Sequence, residues 1–455
     1  PSARRQGSFM FRVHGDRGLS RRSFVQAGLL GVGGLTLPEF FRIRAQAKSA
    51  APNTSVILFW MSGGPGHMET WDPKPDAVPQ FRGPFGAIKT NVPGIQFGEL
   101  MPRQARIADK LAVVRTVAHG SGDHTKGNHW MLTGFEGPAF NVPDFRVQRR
   151  PSIGSAASKL CGPNRPGLPA YLAVPHLRGG TDNFFHYSAY LGPAHNPFNV
   201  DSDPNKPDFR VRNLALAKDL SFDRLDDRRE VLGLIDRLKE TRDSAGSARD
   251  ASADQAFSLL TGREVARAFD INAEPTAIRD HYGRHIFGQS ALLARRLVEA
   301  GVTFVTVNTE PWDHHATAGR LPTAEGGKKL IPPFDAAFAA LIEDLHQRGL
   351  AERVLVLAMG EFGRTPRMNP EGGRDHWGNT FSVAFAGGSI KTGQVVGKSN
   401  PRGEYPIDRP LTPEEVSATV FHHLGIDARK VSFPDQTGRP IYLVEHGEPI
   451  RELVG

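Results

Sequence analysis

Ser55-Val56-Ile57-Leu58-Phe59-Trp60-Met61 is an unbroken apolar run, closed by Ser62 and by Gly63-Gly64-Pro65-Gly66. A run of this length with β-branched and aromatic members suits a central parallel strand buried on both faces, and the glycines turn it into a loop. Residues 111–117 repeat the pattern and lead into a polar loop rich in His and Gly. Residues 170–174, 302–308, 353–359 and 381–386 supply further strands. Helical spacing over about 276–300 and 333–348 falls between them. Thr412, followed by Pro413, opens a helix running to about Leu424. Strand and helix alternate, which predicts an α/β fold: a doubly wound, mostly parallel sheet covered by helices.

Around that core the sequence changes character. Residues 190–210 are rich in Pro, Asn and Asp and read as an excursion over the surface. Leu225, Val231, Leu232, Ile235 and Leu238 repeat at helical spacing between charges, predicting a helix from about Phe222 to Arg242. Residues 244–254 are small and polar. Together, 195–290 reads as a helical insertion in a single domain spanning 48–455.

The chain has 455 residues, 39% of them hydrophobic, which excludes disorder and provides a large core. Its 49 Gly and 35 Pro call for many turns and long loops. The lone Cys161 excludes an internal disulfide framework and a cysteine-based zinc site. The formal charge of +8 suggests nucleic acid at first sight. However, residues 1–47 hold eight Arg against one Asp and one Glu, a net +6, which leaves the remainder close to neutral. The basicity belongs to the N-terminal segment, and nucleic-acid binding is not expected.

That segment reads as an address. Ser20-Arg21-Arg22-Ser23-Phe24-Val25 has the form of a twin-arginine export signal. The apolar stretch from Val25 to Leu37 falls well short of the roughly 20 residues that span a bilayer. Ala45-Gln46-Ala47 suits signal peptidase. The expectation is a signal peptide over 1–47 and a periplasmic or extracellular mature protein without stable membrane insertion.

The polar clusters follow the strands. His67, Glu69 and Asp72 follow the first. His119, Asp123, His124, Thr125, Asn128 and His129 follow the second. Glu310, Asp313, His314 and His315 follow 302–308, and Glu361, Arg364 and Thr365 follow 353–359. Arg374, Asp375 and His376 come a few residues later. In an open parallel sheet such loops share the carboxyl edge, where ligands bind. Imidazoles with carboxylates suit a borderline divalent ion, and the number of both allows one ion or two.

Five stretches carry a resemblance: 63–75 (Gly-Gly-Pro-Gly-His-Met-Glu-Thr-Trp-Asp-Pro-Lys-Pro), 127–134 (Gly-Asn-His-Trp-Met-Leu-Thr-Gly), 312–315 (Trp-Asp-His-His), 360–366 (Gly-Glu-Phe-Gly-Arg-Thr-Pro) and 373–378 (Gly-Arg-Asp-His-Trp-Gly). Behind a twin-arginine signal, they resemble the DUF1501 family of secreted bacterial proteins. That family is labelled sulfatase-like and grouped with the alkaline-phosphatase superfamily. The resemblance implies a core of the alkaline-phosphatase and sulfatase type. It makes Thr125 the nucleophile and Asn128 the residue that steadies the oxyanion, with Arg364 or Arg374 clamping anionic oxygens. Asp313, His315 and His376 would hold the main ion, with Glu361 and Asp375 at a second ion or behind the first. His67, Glu69, Asp72, His129 and His314 are possible additional ligands.

Two departures fall on the second ion. Ser62 stands where the first strand should end in a metal-binding Asp, and Phe362 stands where a His should follow Glu361. The formylglycine pattern of sulfatases, Cys-x-Pro-x-Arg, is missing from the nucleophile segment.

The leading expectation is therefore an exported hydrolase of phosphate or sulfate esters, dependent on zinc, manganese or calcium, acting on an anionic ester or glycan. The alternative is a non-catalytic exported protein that keeps the fold and binds a glycan or a protein partner. A phosphomutase-like transferase fits the superfamily but not the location. The oligomeric state is not legible.

Overall fold

The computed structural model describes residues 53–139, 142–144, 146–177, 184–211, 263–308, 310–435 and 437–455. The expected signal peptide and the helix expected from Phe222 to Arg242 lie outside the described residues.

The central sheet has eight strands: β1 (Ser55–Trp60), β2 (Leu111–Val117), β3 (Tyr171–Val174), β4 (Phe198–Asn199), β5 (Phe304–Asn308), β6 (Val354–Met359), β7 (Phe381–Gly387) and β8 (Gln394–Val396). Their spatial order is β8-β2-β7-β6-β1-β5-β3-β4. β1 pairs in parallel with β5 (Leu58 opposite Thr306) and with β6 (Leu58 opposite Leu357). β7 alone runs against its neighbours β6 and β2. Seven strands therefore end at one edge, and β7 begins there. The sheet is doubly wound and mostly parallel, as the alternation of apolar runs and helices predicts.

Every residue of β1 is buried, and alternate side chains serve different cores. Ile57, Phe59 and Met61 face a layer that includes Leu292, Leu341 and Phe338. Val56, Leu58 and Trp60 face another with Leu160, Val416 and Phe421. The helices that cover the sheet near the site are α1 (His124–Thr133), α2 (Ile153–Cys161), α3 (Thr276–Tyr282), α4 (Ile286–Ala300), α5 (Thr323–Gln347) and α6 (Pro413–His423). Phe59 meets Phe338 edge-on at 5.3 Å and Phe334 at 5.9 Å, and Trp71 and Trp312 close on Phe334 at 5.8 and 5.6 Å. Truncating such a buried ring costs about 3–5 kcal/mol.

Three stretches differ from the sequence expectation for physical reasons. The helix expected over 276–300 is two helices, because Gly283 turns the chain at φ 95° and the His285 ring accepts from the Gly288 N–H at 3.1 Å to cap the second. The helix expected at 333–348 starts ten residues earlier, at Thr323, and runs through Pro332 and Pro333. Buried Leu330, Ile331 and Phe334 on either side of the prolines hold it against the core, so packing overrides the local break. Within the expected insertion, residues 195–211 carry little helix, and Phe198–Asn199 adds a parallel edge strand beside Leu172 and Ala173. Among the described residues, no helix is long and apolar enough to cross a membrane.

Two histidines sit inside the fold without charge. Burial pushes the His186 imidazole down to about 3 and His129 down to about 4, from 6.5. His186 packs edge-on against Trp60 at 5.5 Å, and His129 against Phe185 at 5.2 Å. Below about pH 6.5 the unfolded chain takes up protons that the folded chain refuses, so stability is full above that pH and falls as pH drops toward 4. At pH 5 each histidine is expected to withdraw about 2 kcal/mol. Urea unfolding of chelator-treated protein at pH 7 and pH 5 measures this, and His186→Phe is expected to shrink the difference.

Candidate metal centre

Four chain segments meet at the carboxyl edge of the sheet. Asp313 lies on the loop after β5, Glu361 on the loop after β6, His124 at the first position of α1, and His376 just before β7. Asp123 caps α1 by accepting from the Lys126 N–H at 3.1 Å, which fixes where the helix starts and where His124 stands. His376 belongs to a short ribbon in which His376–Trp377 pairs antiparallel with Gly363–Arg364.

Asp313 is the centre of the arrangement. Its side chain is buried (4% exposed), yet it carries charge. The Arg364 guanidinium donates to its Oδ1 at 2.6 Å, and His376 Nε2 lies 3.1 Å from the same oxygen. His315 Nε2 lies 3.2 Å from Oδ2, His124 Nε2 lies 3.7 Å from it, and Arg320 Nε lies 3.1 Å from it. Burial by itself would raise this carboxyl. The imidazoles of His124 and His376 and the Arg364 charge outweigh burial and hold it well below the usual carboxylate range. Burial also lowers the His315 imidazole, against the pull of Asp313.

Each imidazole presents Nε2 to Asp313 while its Nδ1 is engaged elsewhere. His124 Nδ1 meets Glu361 Oε1 at 2.6 Å, His376 Nδ1 meets the Gly122 carbonyl at 2.9 Å, and His315 Nδ1 meets Thr317 Oγ1 at 2.6 Å. A carboxylate or carbonyl behind Nδ1 fixes the proton there and leaves the Nε2 lone pair available to a cation. Glu361 is itself held, because its two oxygens accept the Gly63 N–H at 2.8 and 3.0 Å. Among the described residues, His124, Asp313 and His376 offer ligand atoms within 4.8 Å of one another. Two imidazole nitrogens with a carboxylate fit zinc or manganese, whereas calcium takes oxygen ligands.

The glycine pair after β1 makes the approach possible. Gly63 has φ 95°, and a Cβ there would lie 2.8 Å from the Asp313 backbone nitrogen. Gly64 has φ 80°, and its Cβ would lie 2.6 Å from the Phe362 ring. Phe362 stacks on His376 with ring centres 4.8 Å apart and lies tilted against His124 at 4.9 Å. The residue standing where a second metal's histidine was expected is thus packed against the two imidazoles of the cluster.

The structure brings together Asp313, His315, His376 and Glu361 and adds His124, which the sequence reading placed in the cluster after the second strand without giving it a role. The cap signal at Asp123 was the available clue, because it places residue 124 in the first turn of α1 at the sheet edge. Thr125 is buried, and among the described residues its hydroxyl has no hydrogen-bond partner. Asn128 donates its amide back to the His124 carbonyl at 2.7 Å.

Arg364 and Arg374 are buried and spent on protein groups. Arg364 donates to the Gly63, Gly64 and Arg374 carbonyls besides Asp313. Arg374 donates to Glu69 and to the Phe81, Thr365 and Pro366 carbonyls. Both therefore stand as framework. Asp375 faces solvent and accepts from the Asn369 amide at 3.1 Å.

None of the five possible additional ligands belongs to the group formed by His124, Asp313 and His376 among the described residues. His67 Nε2 lies on the Gly403 carbonyl at 2.9 Å, Glu69 pairs with Arg374 at 2.8 Å, and Asp72 pairs with Lys74 at 2.8 Å. His129 Nδ1 meets the Phe135 carbonyl at 2.9 Å. His314 packs over Gly326, its imidazole pushed down to about 4 by burial and by Arg364.

A family model described as a protein of unknown function (DUF1501) matches residues 53–454. No curated protein matches the sequence. Among solved structures the chain is similar to a mutant of the alkaline phosphatase PafA, at 10% identity over 89% of this chain and 100% of that one, with a TM-score of 0.40. It is also similar to the PsFucS1 sulfatase from Pseudoalteromonas sp., at 12% identity over 88% and 72%, with a TM-score of 0.37. A third is the lipoteichoic acid synthase LtaP from Listeria monocytogenes, at 10% identity over 89% and 80%, with a TM-score of 0.38.

Glu361→Gln removes the charge behind His124 while keeping its shape. It is expected to weaken zinc binding by about 10–100-fold, measured by competition with a chromophoric chelator, while Asp375→Asn stays close to the parent.

Proposed function

The chain belongs to the DUF1501 family, and within it we propose the role of an exported, metal-dependent hydrolase of phosphate or sulfate esters. The observation that carries this reading is the set of imidazoles turned on one buried carboxylate, each with its remote nitrogen tied back. Arg364 already compensates the buried Asp313 charge, so three further imidazoles turned on the same carboxylate are not needed to balance it and support a cation between them. His124, Asp313 and His376 would hold the cation, with His315 beside them and Glu361 fixing His124. When bound, such an ion polarises an ester oxygen and lowers the pKa of a nearby hydroxyl.

The protein's own groups supply the rest. Thr125 follows His124 in the first turn of α1, and among the described residues its buried hydroxyl has no hydrogen-bond partner, which leaves it available as the nucleophile. Asn128 ties the His124 carbonyl to the next turn and so keeps the helix start in register. Arg364 positions Asp313 from behind. With Phe362 packed on His124 and His376, we read a one-ion centre. Export through the twin-arginine pathway is part of the proposal and follows from Arg21 and Arg22 in their sequence context.

A second reading, a non-catalytic binding protein with the same ion, is favoured by the burial of Thr125 and by Phe362. A panel of aryl phosphate monoesters, diesters and sulfate esters separates the two. Turnover is expected with zinc or manganese, lost on chelation and restored on readdition. Thr125→Ala is expected to lower kcat by at least about 100-fold. Asp313→Ala is expected to lose the metal. Tightly held metal with no turnover of any ester leaves the second reading standing.

A further inference from the structure

Three arginines surround the cluster, and they are not equivalent. Arg364 and Arg374 are 2% and 1% exposed, with their nitrogens committed to carbonyls and carboxylates. Arg320 is 39% exposed, and its nearest approach to the site is Nε, 3.1 Å from Asp313 Oδ2. Among the described residues, no hydrogen bond holds either of its terminal nitrogens. It is carried on a tight turn where Ala316, Ala318 and Gly319 all have positive φ, closed by the Arg320 N–H on the Thr317 carbonyl at 2.9 Å and the Ala316 N–H on the Leu321 carbonyl at 3.2 Å. Three departures into the left-handed region within four residues hold the residue at the solvent side of the cluster.

Asp313 already has a full buried counter-charge in Arg364. A second guanidinium on the same carboxylate adds little to stability where it is this exposed. A cation on Asp313 would add positive charge beside Arg320 and loosen its hold on Oδ2. The flat fork of donors is then free for an anion beside His124, His315 and His376, which contact the same carboxylate and are 17%, 14% and 27% exposed.

We propose that Arg320 receives the anionic oxygens of the substrate, so that the site takes a tetrahedral oxyanion on a guanidinium fork. This assigns to Arg320 the clamping role that sequence reading gave to Arg364 or Arg374. It rests on the hydrolase reading for the identity of the substrate, and on the exposure and pairing of these arginines for its argument. Guanidinium binds such an anion through two parallel charge-assisted bonds, which an ammonium reproduces only as a point charge.

The test is isothermal titration of inorganic phosphate and of sulfate into the zinc-loaded full chain and its Arg320→Ala and Arg320→Lys variants. Zinc affinity is measured separately by chelator competition. Arg320→Ala is expected to weaken anion binding by about tenfold or more with zinc affinity undiminished, and Arg320→Lys is expected to fall between. Anion binding unchanged in Arg320→Ala, anion binding lost only in step with zinc, or no binding of either anion by the parent at millimolar concentration each overturn the proposal. Arginine-dependent anion binding without turnover of any ester keeps this inference and removes the hydrolase. Turnover with KM and anion affinity both untouched in Arg320→Ala does the reverse.

Discussion

A carboxylate taken out of water must be compensated, and the geometry around Asp313 is the record of how that is done. Arg364 supplies the charge from the protein side, and imidazoles line the solvent side. Placing Arg364 requires the Gly63 and Gly64 carbonyls to face it, and those carbonyls are available because the chain leaves β1 through two residues at positive φ. The same turn frees the Gly63 N–H for Glu361, which in turn holds His124. One ion pair thus ties together the exits of β1, β5 and β6 and the start of α1.

Behind this lies a second layer of buried charge. The Arg374 backbone carbonyl accepts from Arg364 at 3.1 Å, while its guanidinium pairs with Glu69 at 2.8 Å and takes the Phe81 carbonyl at 2.7 Å. Loops from residues 63–81 and 363–374 are locked to each other through two guanidiniums, each able to satisfy several carbonyls at once. Removing either would leave several acceptors in the interior unpaired, which costs far more than the bond itself contributes. Rigidity near the site comes from this polar lattice more than from apolar packing.

Much of the architecture was legible because buried parallel strands announce themselves as apolar runs. Residues 111–117 and 353–359 match their strands to within a residue. Helix limits were less legible, since Pro332 and Pro333 signal a break that Ile331 and Phe334 overrule through packing. At the site, chain polarity put the clusters that follow the strands at one edge, and the resemblance singled out Asp313, His315 and Glu361 among them. Local spacing does not tell a ligand from its neighbour, and nothing in it marked His124 out from the other histidines of its loop. Nor does it tell a guanidinium in solvent from one walled in by carbonyls, as the contrast of Arg320 with Arg364 and Arg374 illustrates.

The reversed direction of β7 has an evolutionary side. A purely parallel sheet delivers to its ligand-binding edge only segments that are leaving a strand. With one strand inverted, His376 arrives on a segment about to enter the sheet, anchored by Phe381 opposite Val117 on one side and by its ribbon with Arg364 on the other. The stretch between the two arms of that ribbon, residues 366–374, is therefore a loop with both feet fixed. Only its exposed residues, Arg367, Pro370 and Glu371, are open to change without moving the histidine, because Arg374 within it is locked to Glu69 and to the Phe81 carbonyl, so the rim of the site can be reshaped at those positions while the coordinating groups stay in place.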